Sequence, residues 1–387
     1  MRYTALMHVI GSTEELAAVC TRLAAHAFVA VDTEFMREST FWPKLCLIQL
    51  AGPADEAVVD PMVKGLDLAP FYALMADRRV VKVFHAARQD LEIFFVDARV
   101  FPKPLFDTQI AAMVCGFGEQ AGYETLVKRI AKADLDKTSR FTDWSHRPLS
   151  KAQADYALAD VTHLRVIYEF LAAQLARTGR QPWVEEELAV LLDPATYSVA
   201  PEEAWLRIKT RTTSGRFLAV VRELARFREV HCQAQNVPRS RVMKDDALLE
   251  LASTRPTTIE ELGRSRLLLR EGRKSEIAEG ILAAIKAGME AKPEDLPKPD
   301  LSREQLQVNP ALADLLRVLL KAKSESLGVA PRLIASAGEL DAIAAGTRDL
   351  GALQGWRAEA FGDDALRLCR GEIALSAKGN EVRVVRI

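Results

Sequence analysis

The chain has 387 residues, of which 49% are hydrophobic and 27% charged. That is ordinary globular usage, and it excludes low-complexity disorder, collagen and coiled-coil rods for the bulk of the molecule. The formal net charge of −1 hides an asymmetry: residues 1–204 are net −7, residues 205–292 net +7 and residues 293–387 net −1.

The first half alternates strand-like and helix-like segments. Phe28-Val29-Ala30-Val31, Leu45 to Leu50 and Ala57-Val58-Val59-Asp60 are apolar runs separated by turn regions, so they read as adjacent strands. Leu68 to Met75 reads as a helix, Val80 to Phe84 as a strand and Gln89 to Val96 as a helix. This succession predicts an α/β domain with a mixed sheet over residues 1–192. After about residue 105 the strand signal stops. Asp107–Cys115, Tyr123–Ala133, Lys151–Ala176 and Trp183–Leu192 suit helices, and Ser150 with Gln153 forms a capping-box start for the third of them.

Asp193 to Glu203 reads as a linker. Helical patterns then cover Phe217–Ala234, Asp245–Ala252, Thr258–Leu262 and Lys274–Met289, giving a helical domain over 205–290. Residues 291–304 hold three prolines and four acids and form the clearest linker. A last helical domain follows over 305–387, with helices expected at Ala311–Ser326, Arg332–Ser336, Gly338–Ala345 and Gly355–Phe361. The similar length and helix order of these two domains reads as a diverged internal duplication. At about 100–200 residues per domain, the length suggests roughly two to four domains.

No apolar run approaches the ~18 residues of a membrane span. Met1 to Gly11 lacks a basic flank before a long apolar core, so no signal peptide is expected. The five cysteines are odd in number and far apart, with no CxxC, which argues against a disulfide framework or a thiolate zinc site. A reducing, cytoplasmic setting is the expectation.

Asp32 and Glu34 close the first strand two residues apart, so their side chains share a face of the sheet. Two acidic oxygens there suit a hard divalent cation. Chance alone gives roughly seven acid-x-acid pairs in such a chain, so the pair needs context. Asp90 supplies some of it, in the first turn of the helix after the strand Val80–Phe84. Asp160 supplies more, four residues after Tyr156 on one helix face. Four acids in one pocket repel each other unless divalent metals neutralise them, and such a pocket is a two-metal site for phosphodiester chemistry.

Three segments carry a family resemblance. Val31-Asp32-Thr33-Glu34-Phe35, His85-Ala86-Ala87-Arg88-Gln89-Asp90-Leu91 and Tyr156-Ala157-Leu158-Ala159-Asp160-Val161 resemble the motifs of DEDD exonucleases, with the tyrosine that marks the DEDDy branch. Asp143-Trp144 and Arg147-Pro148-Leu149-Ser150 extend the likeness to the bacterial ribonuclease D family, and residues 205–290 and 305–387 resemble its two HRDC domains. The resemblance implies a ribonuclease H-like fold followed by two all-α HRDC-like domains, and two Mg²⁺ or Mn²⁺ ions. It implies that Asp32 bridges both ions, that Glu34 and Asp160 complete the ion that activates water, and that Asp90 holds the ion at the leaving 3′-oxygen. Tyr156 would orient the attacking water, its ordinary pKa of ~10 being too high for a free phenolate. The implied activity is 3′–5′ trimming of RNA, chiefly tRNA precursor 3′ ends, with release of nucleoside 5′-monophosphates; separately, a monomer is the expectation.

Candidate substrate contacts flank the motifs: Thr33, Phe35, His85 and Gln89, with Lys137, Arg140 and Arg147 in the loop before the last one. Trp144 reads as a core anchor or a stacking platform. The remaining histidines form no ligand pair. In the middle domain Arg207, Lys209, Arg211, Arg216, Arg222, Arg226, Arg228, Arg239, Arg241, Lys244, Arg264, Arg266, Arg270, Arg273 and Lys274 suggest a cationic surface for a polyanion that an acidic nuclease half would repel. Two other readings stay open. One is a DNA 3′–5′ exonuclease, since discrimination needs a contact to the 2′-hydroxyl, such as Glu34 could make. The other is a silent RNA-binding protein, which the presence of all four acids and Tyr156 disfavours.

Overall fold

The computed structural model describes residues 8–119, 121–136, 138–140, 142–198, 200–210, 212, 214–268, 275–298 and 307–387. They form two compact units, one from the described residues of 1–34, 46–193 and 302–387, the other from those of 35–45 and 194–301.

The first unit is built on a six-stranded sheet: β1 (Val9–Ile10), β2 (Phe28–Met36), β3 (Lys44–Ala51), β4 (Glu56–Val59), β5 (Val81–Phe84) and β6 (Leu105–Asp107), in the order β1-β4-β3-β2-β5-β6. β4 runs antiparallel to β3, whereas β1 is parallel to β4, β5 to β2 and β6 to β5. The mixed sheet matches the expectation. β6 does not, because three residues are too short to show a period. Val29, Ala30 and Val31 are fully buried, which explains the unbroken apolar run that opens β2.

Helices α1 (Thr13–Leu23), α2 (Ala69–Ala76), α3 (Arg88–Ala98), α4 (Thr108–Val114), α5 (Tyr123–Leu126), α6 (Lys151–Thr178) and α7 (Gln181–Leu191) complete the α/β part of this unit. α6 begins at the expected capping box of Ser150 and Gln153 and ends at Gly179, whose φ of 68° is the left-handed conformation glycine adopts freely. Val161 and Leu164 of α6 pack on Phe28, Ala30, Ala51 and Val83. Since β2 alternates faces, Asp32 and Glu34 lie on this same α6-covered side.

The second unit is helical: α8 (Gly215–Gln235), α9 (Arg239–Val242), α10 (Asp245–Thr254), α11 (Ile259–Gly263) and α12 (Ser275–Glu290). Val221, Leu224 and Ala225 of α8 share a core with Leu248 and Leu251 of α10 and Ile281 and Ile285 of α12. At Gly288 the helices approach so closely that a Cβ would stand 2.5 Å from Val220 Cα. The end of the expected linker, Pro201 to Glu203, is ordered against α8, as the start of the 3-10 turns Pro201–Arg207, in which Ala204 is buried. The loop after β2 also belongs here. Phe41 is buried in this core, and Asn236 Oδ1 accepts from the backbone N–H of Phe41 at 3.1 Å and of Trp42 at 2.9 Å.

The C-terminal segment holds α13 (Pro310–Leu327), α14 (Pro331–Ile334), α15 (Ala337–Ala344), α16 (Gly355–Arg357) and α17 (Asp363–Cys369), then a hairpin of β7 (Ile373–Lys378) and β8 (Glu381–Arg386). The hairpin corrects the all-helical expectation. Its alternating Glu381-Val382-Arg383-Val384 is a strand pattern, and Gly379 turns it at φ 65°. This segment docks on α4 and α7. Trp356 stacks on Trp183 with ring centroids 4.6 Å apart and donates Nε1 to Glu187 at 2.9 Å, while Ala330 N donates to Met113 O at 3.0 Å.

Candidate active site

The α6-covered face of β2 gathers the acids. Carboxylate oxygens of Asp32, Glu34 and Asp160 lie within 4.8 Å of one another, a set of hard oxygen donors that suits a divalent cation. Asp90 joins them from the first turn of α3, near enough to Asp32 to feel its charge and placed where the helix dipole favours a carboxylate. Asp90 and Asp160 are buried, Asp32 and Glu34 half-buried.

Burial raises all four carboxyls above their usual range. For Asp32 the charge of Asp160 adds to it, and for Asp90 the charge of Asp32. Glu34 is pushed up to about 9 by burial and then by Asp32, Asp160 and Asp90. Asp160 rises to about 7 through burial, held back by the Tyr156 hydroxyl and Arg140. Such mutual repulsion is what bound cations would relieve.

Neighbouring groups hold these acids in place. Thr33, itself buried, donates Oγ1 to Asp90 Oδ1 at 2.5 Å, so its side chain positions an acid rather than facing the cleft. Tyr156 hydrogen-bonds Asp160 through its hydroxyl, and its pKa is raised by burial and by that carboxylate. Trp144 is buried with its ring 6.0 Å from that of Tyr156, the core anchor of the two expected roles.

Among the expected substrate contacts, His85 and Arg140 line one cleft with Asp32, Tyr123, Tyr156 and Asp160. Gln89 is exposed in the first turn of α3, and Phe35 is half-buried in β2. Lys137 lies outside the described residues. Arg147 is a correction. Its guanidinium is given over to Asp60 and to the carbonyls of Cys46, Trp144 and His146, which leaves it bracing the loop before α6. A lone arginine in a loop offers no sequence signal for such internal partners.

Three residues of the site escaped the sequence reading. Tyr123 donates its hydroxyl to the Asp160 carbonyl and packs on His85. Asp107 caps α4 and also accepts from the N–H groups of Ala86 and Ala87, holding Ala86 at a left-handed φ of 58°. Thr108 contacts His85. Asp-Thr at a helix start was the available signal for the last two.

The cationic surface expected on the middle domain is thinner than its charge suggests. Arg216 caps the carbonyls of Gly288, Met289 and Ala291, Arg228 is buried against Met243 O and Asp245, and Arg239 pairs with Glu229. Arg207, Lys209, Arg241, Lys244 and Arg266 are exposed. Arg211, Arg270, Arg273 and Lys274 lie outside the described residues. Among the described residues no helix is long and apolar enough to cross a membrane.

Comparison with known proteins fits this site. A family model described as a 3′–5′ exonuclease matches residues 7–176, and an HRDC domain model matches residues 217–285. A ribonuclease D from Jannaschia sp. (strain CCS1) is 59% identical over 98% of this chain and all of the relative. A ribonuclease D from Granulibacter bethesdensis is 48% identical over 97% of this chain and 96% of the relative. The crystal structure of Escherichia coli RNase D, an exoribonuclease involved in structured RNA processing, superposes with a TM-score of 0.82 at 28% identity, covering 95% of this chain and 99% of that one. With identity of that order along nearly its whole length, the chain belongs to the ribonuclease D family, and it is a hydrolytic 3′–5′ exoribonuclease.

Proposed function

We propose that this exoribonuclease trims the 3′ ends of tRNA precursors and other structured RNAs, as a cytoplasmic monomer, with two divalent ions, Mg²⁺ or Mn²⁺. The observation that carries the site assignment is the convergence of Asp32, Glu34 and Asp160 within 4.8 Å, with Asp90 and Tyr156 beside them. These four acids would hold the cations, and their all-oxygen chemistry and mutual charge fit that role. When bound, such ions supply Lewis-acid stabilisation of the oxygens at a phosphorus centre undergoing in-line displacement.

The chain's own residues do the rest. Tyr156, kept protonated by burial and by Asp160, orients the water through its hydroxyl and does not act as a base. Thr33 fixes the Asp90 carboxylate. Arg140 brings positive charge to the cleft edge, where a phosphodiester backbone would arrive. Attack at the last phosphodiester releases a nucleoside 5′-monophosphate and leaves an RNA one residue shorter. Residues 205–290 and 305–387 act as HRDC-like domains, the first of them contributing RNA contacts through its exposed cations.

The test is a gel assay of 5′-labelled RNA and matched DNA, each with a 3′ overhang, in Mg²⁺, Mn²⁺ or EDTA. A 3′-shortening ladder on RNA alone, abolished by EDTA, is expected. Equal trimming of DNA would overturn the substrate class. A ladder that persists in EDTA would overturn the metal assignment.

A further inference from the structure

A substrate must satisfy the polar groups that face it, so the hydrogen-bonding character of each cleft side chain restricts what can bind. Thr108 Oγ1 lies 3.0 Å from Phe84 O and 3.0 Å from His85 Nδ1, and Thr108 is fully buried. A hydroxyl has one proton to give. The carbonyl can only accept, so that proton goes to Phe84 O. The hydroxyl oxygen is then left to accept from His85, and Nδ1 must carry the ring proton. The opposite arrangement would set two acceptors against each other in a buried place, leaving both unsatisfied.

An ordinary histidine, with a pKa of ~6.5, is mostly neutral at the pH of a cell. Burial favours the neutral form of this ring further. A neutral imidazole protonated on Nδ1 presents a bare lone pair on Nε2. That nitrogen has no hydrogen-bond partner among the described residues, and His85 lines the cleft with Asp32, Tyr156 and Asp160. The ring is not free to turn over. Tyr123 packs on it at 5.4 Å between centroids, and Asp107 pins the backbone of the next two residues through the N–H groups of Ala86 and Ala87.

The cleft therefore offers a fixed acceptor in search of a donor. Phosphates supply none at neutral pH. Base donors change from one nucleotide to the next. Ribose hydroxyls are present on every residue of RNA, and the 2′-hydroxyl is absent from DNA. We infer that His85 is a specificity-determining residue, whose Nε2 accepts a hydroxyl proton from the ribose of the substrate's 3′-terminal nucleotide. This rests on the exoribonuclease reading of the acid cluster beside it.

The experiment measures kcat/KM on three RNA oligonucleotides that end in an ordinary, a 2′-deoxy or a 3′-deoxy nucleotide. Wild type is compared with His85→Asn, whose amide retains an N–H near the Nδ1 position and removes the cleft acceptor. His85→Gln, which returns a polar group near the Nε2 position, is the conservative rescue. Wild type should lose about tenfold on one of the deoxy substrates, the effect of one unpaired hydrogen bond. His85→Asn should show that loss already on the all-ribose RNA and little more on the same deoxy substrate, while His85→Gln recovers part of the sensitivity. Which substrate shows the coupling tells the 2′- from the 3′-hydroxyl. Independent losses on both deoxy substrates, or full activity of His85→Asn, would overturn the inference. Failure of wild type to shorten the all-ribose RNA would instead count against the exoribonuclease reading.

Discussion

Arg147 grips Asp60 with two parallel hydrogen bonds, Nε to Oδ2 at 2.5 Å and Nη2 to Oδ1 at 2.7 Å. The same guanidinium reaches Cys46 O in β3 and Trp144 O in the loop, so one side chain ties the loop before α6 to the sheet. That loop leads into the helix that carries Tyr156 and Asp160. Arg147→Lys keeps the charge and loses the fork. We expect it to lower stability by about 1–3 kcal/mol and kcat several-fold. The salt dependence of RNA binding should stay unchanged. A binding slope shallower by about one phosphate would return Arg147 to the substrate.

Asp32 acts on two of the other acids, since its charge raises Glu34 and Asp90 alike. Asp32→Asn should reduce turnover by at least about 10³-fold, equivalent to about 4 kcal/mol of transition-state stabilisation. RNA binding, read by fluorescence anisotropy, should hold. Clean, folded Asp32→Asn protein with retained turnover would sink the two-metal assignment.

Tyr156→Phe removes only the hydroxyl that meets Asp160 and leaves the ring packed near Trp144. Single-turnover rates should fall by about 10–100-fold, less than for Asp32→Asn. A loss as large as that of the acid would mean that the phenol does more than orient water.

Gly288 is required by close approach rather than by backbone conformation. A Cβ there would meet the Val220 Cα and N at 2.5 and 2.8 Å, atoms that cannot swing aside. Gly288→Ala should cost about 1–3 kcal/mol by forcing α12 from α8. A thermal melt at or above the wild-type midpoint would show that the two helices separate at little cost.

Much of the catalytic half was legible because its signals are local. The apolar run at Phe28–Val31, the capping box at Ser150 and the i, i+4 spacing of Tyr156 and Asp160 each depend on a few neighbouring residues. Meeting points between distant segments were not legible. Nothing in the sequence near Arg147 announces Asp60, 87 positions away, and nothing near Thr33 announces Asp90. Charge was misleading for the same reason. Arg216, Arg228 and Arg239 add to a basic total, yet they cap carbonyls or meet acids inside their own unit. The hairpin at Ile373–Arg386 lies beyond the last expected helix, Gly355–Phe361, in a stretch that the helical-domain expectation covered without an element of its own.

The loop from Phe35 to Leu45 has a consequence for how this molecule can be taken apart. The chain leaves the first unit after Glu34, returns at Cys46, and leaves again after Asp193. A truncation at residue 193 would look like a natural cut between an enzyme and its appendage. It would instead strip Phe41 of its core and Trp42 of its Asn236 contact, baring two aromatic rings on a fragment that ends mid-architecture. Such a fragment should be prone to stick to itself. The chain passes between the two units more than once, so no single cut separates the strand that carries Asp32 and Glu34 from the helical unit.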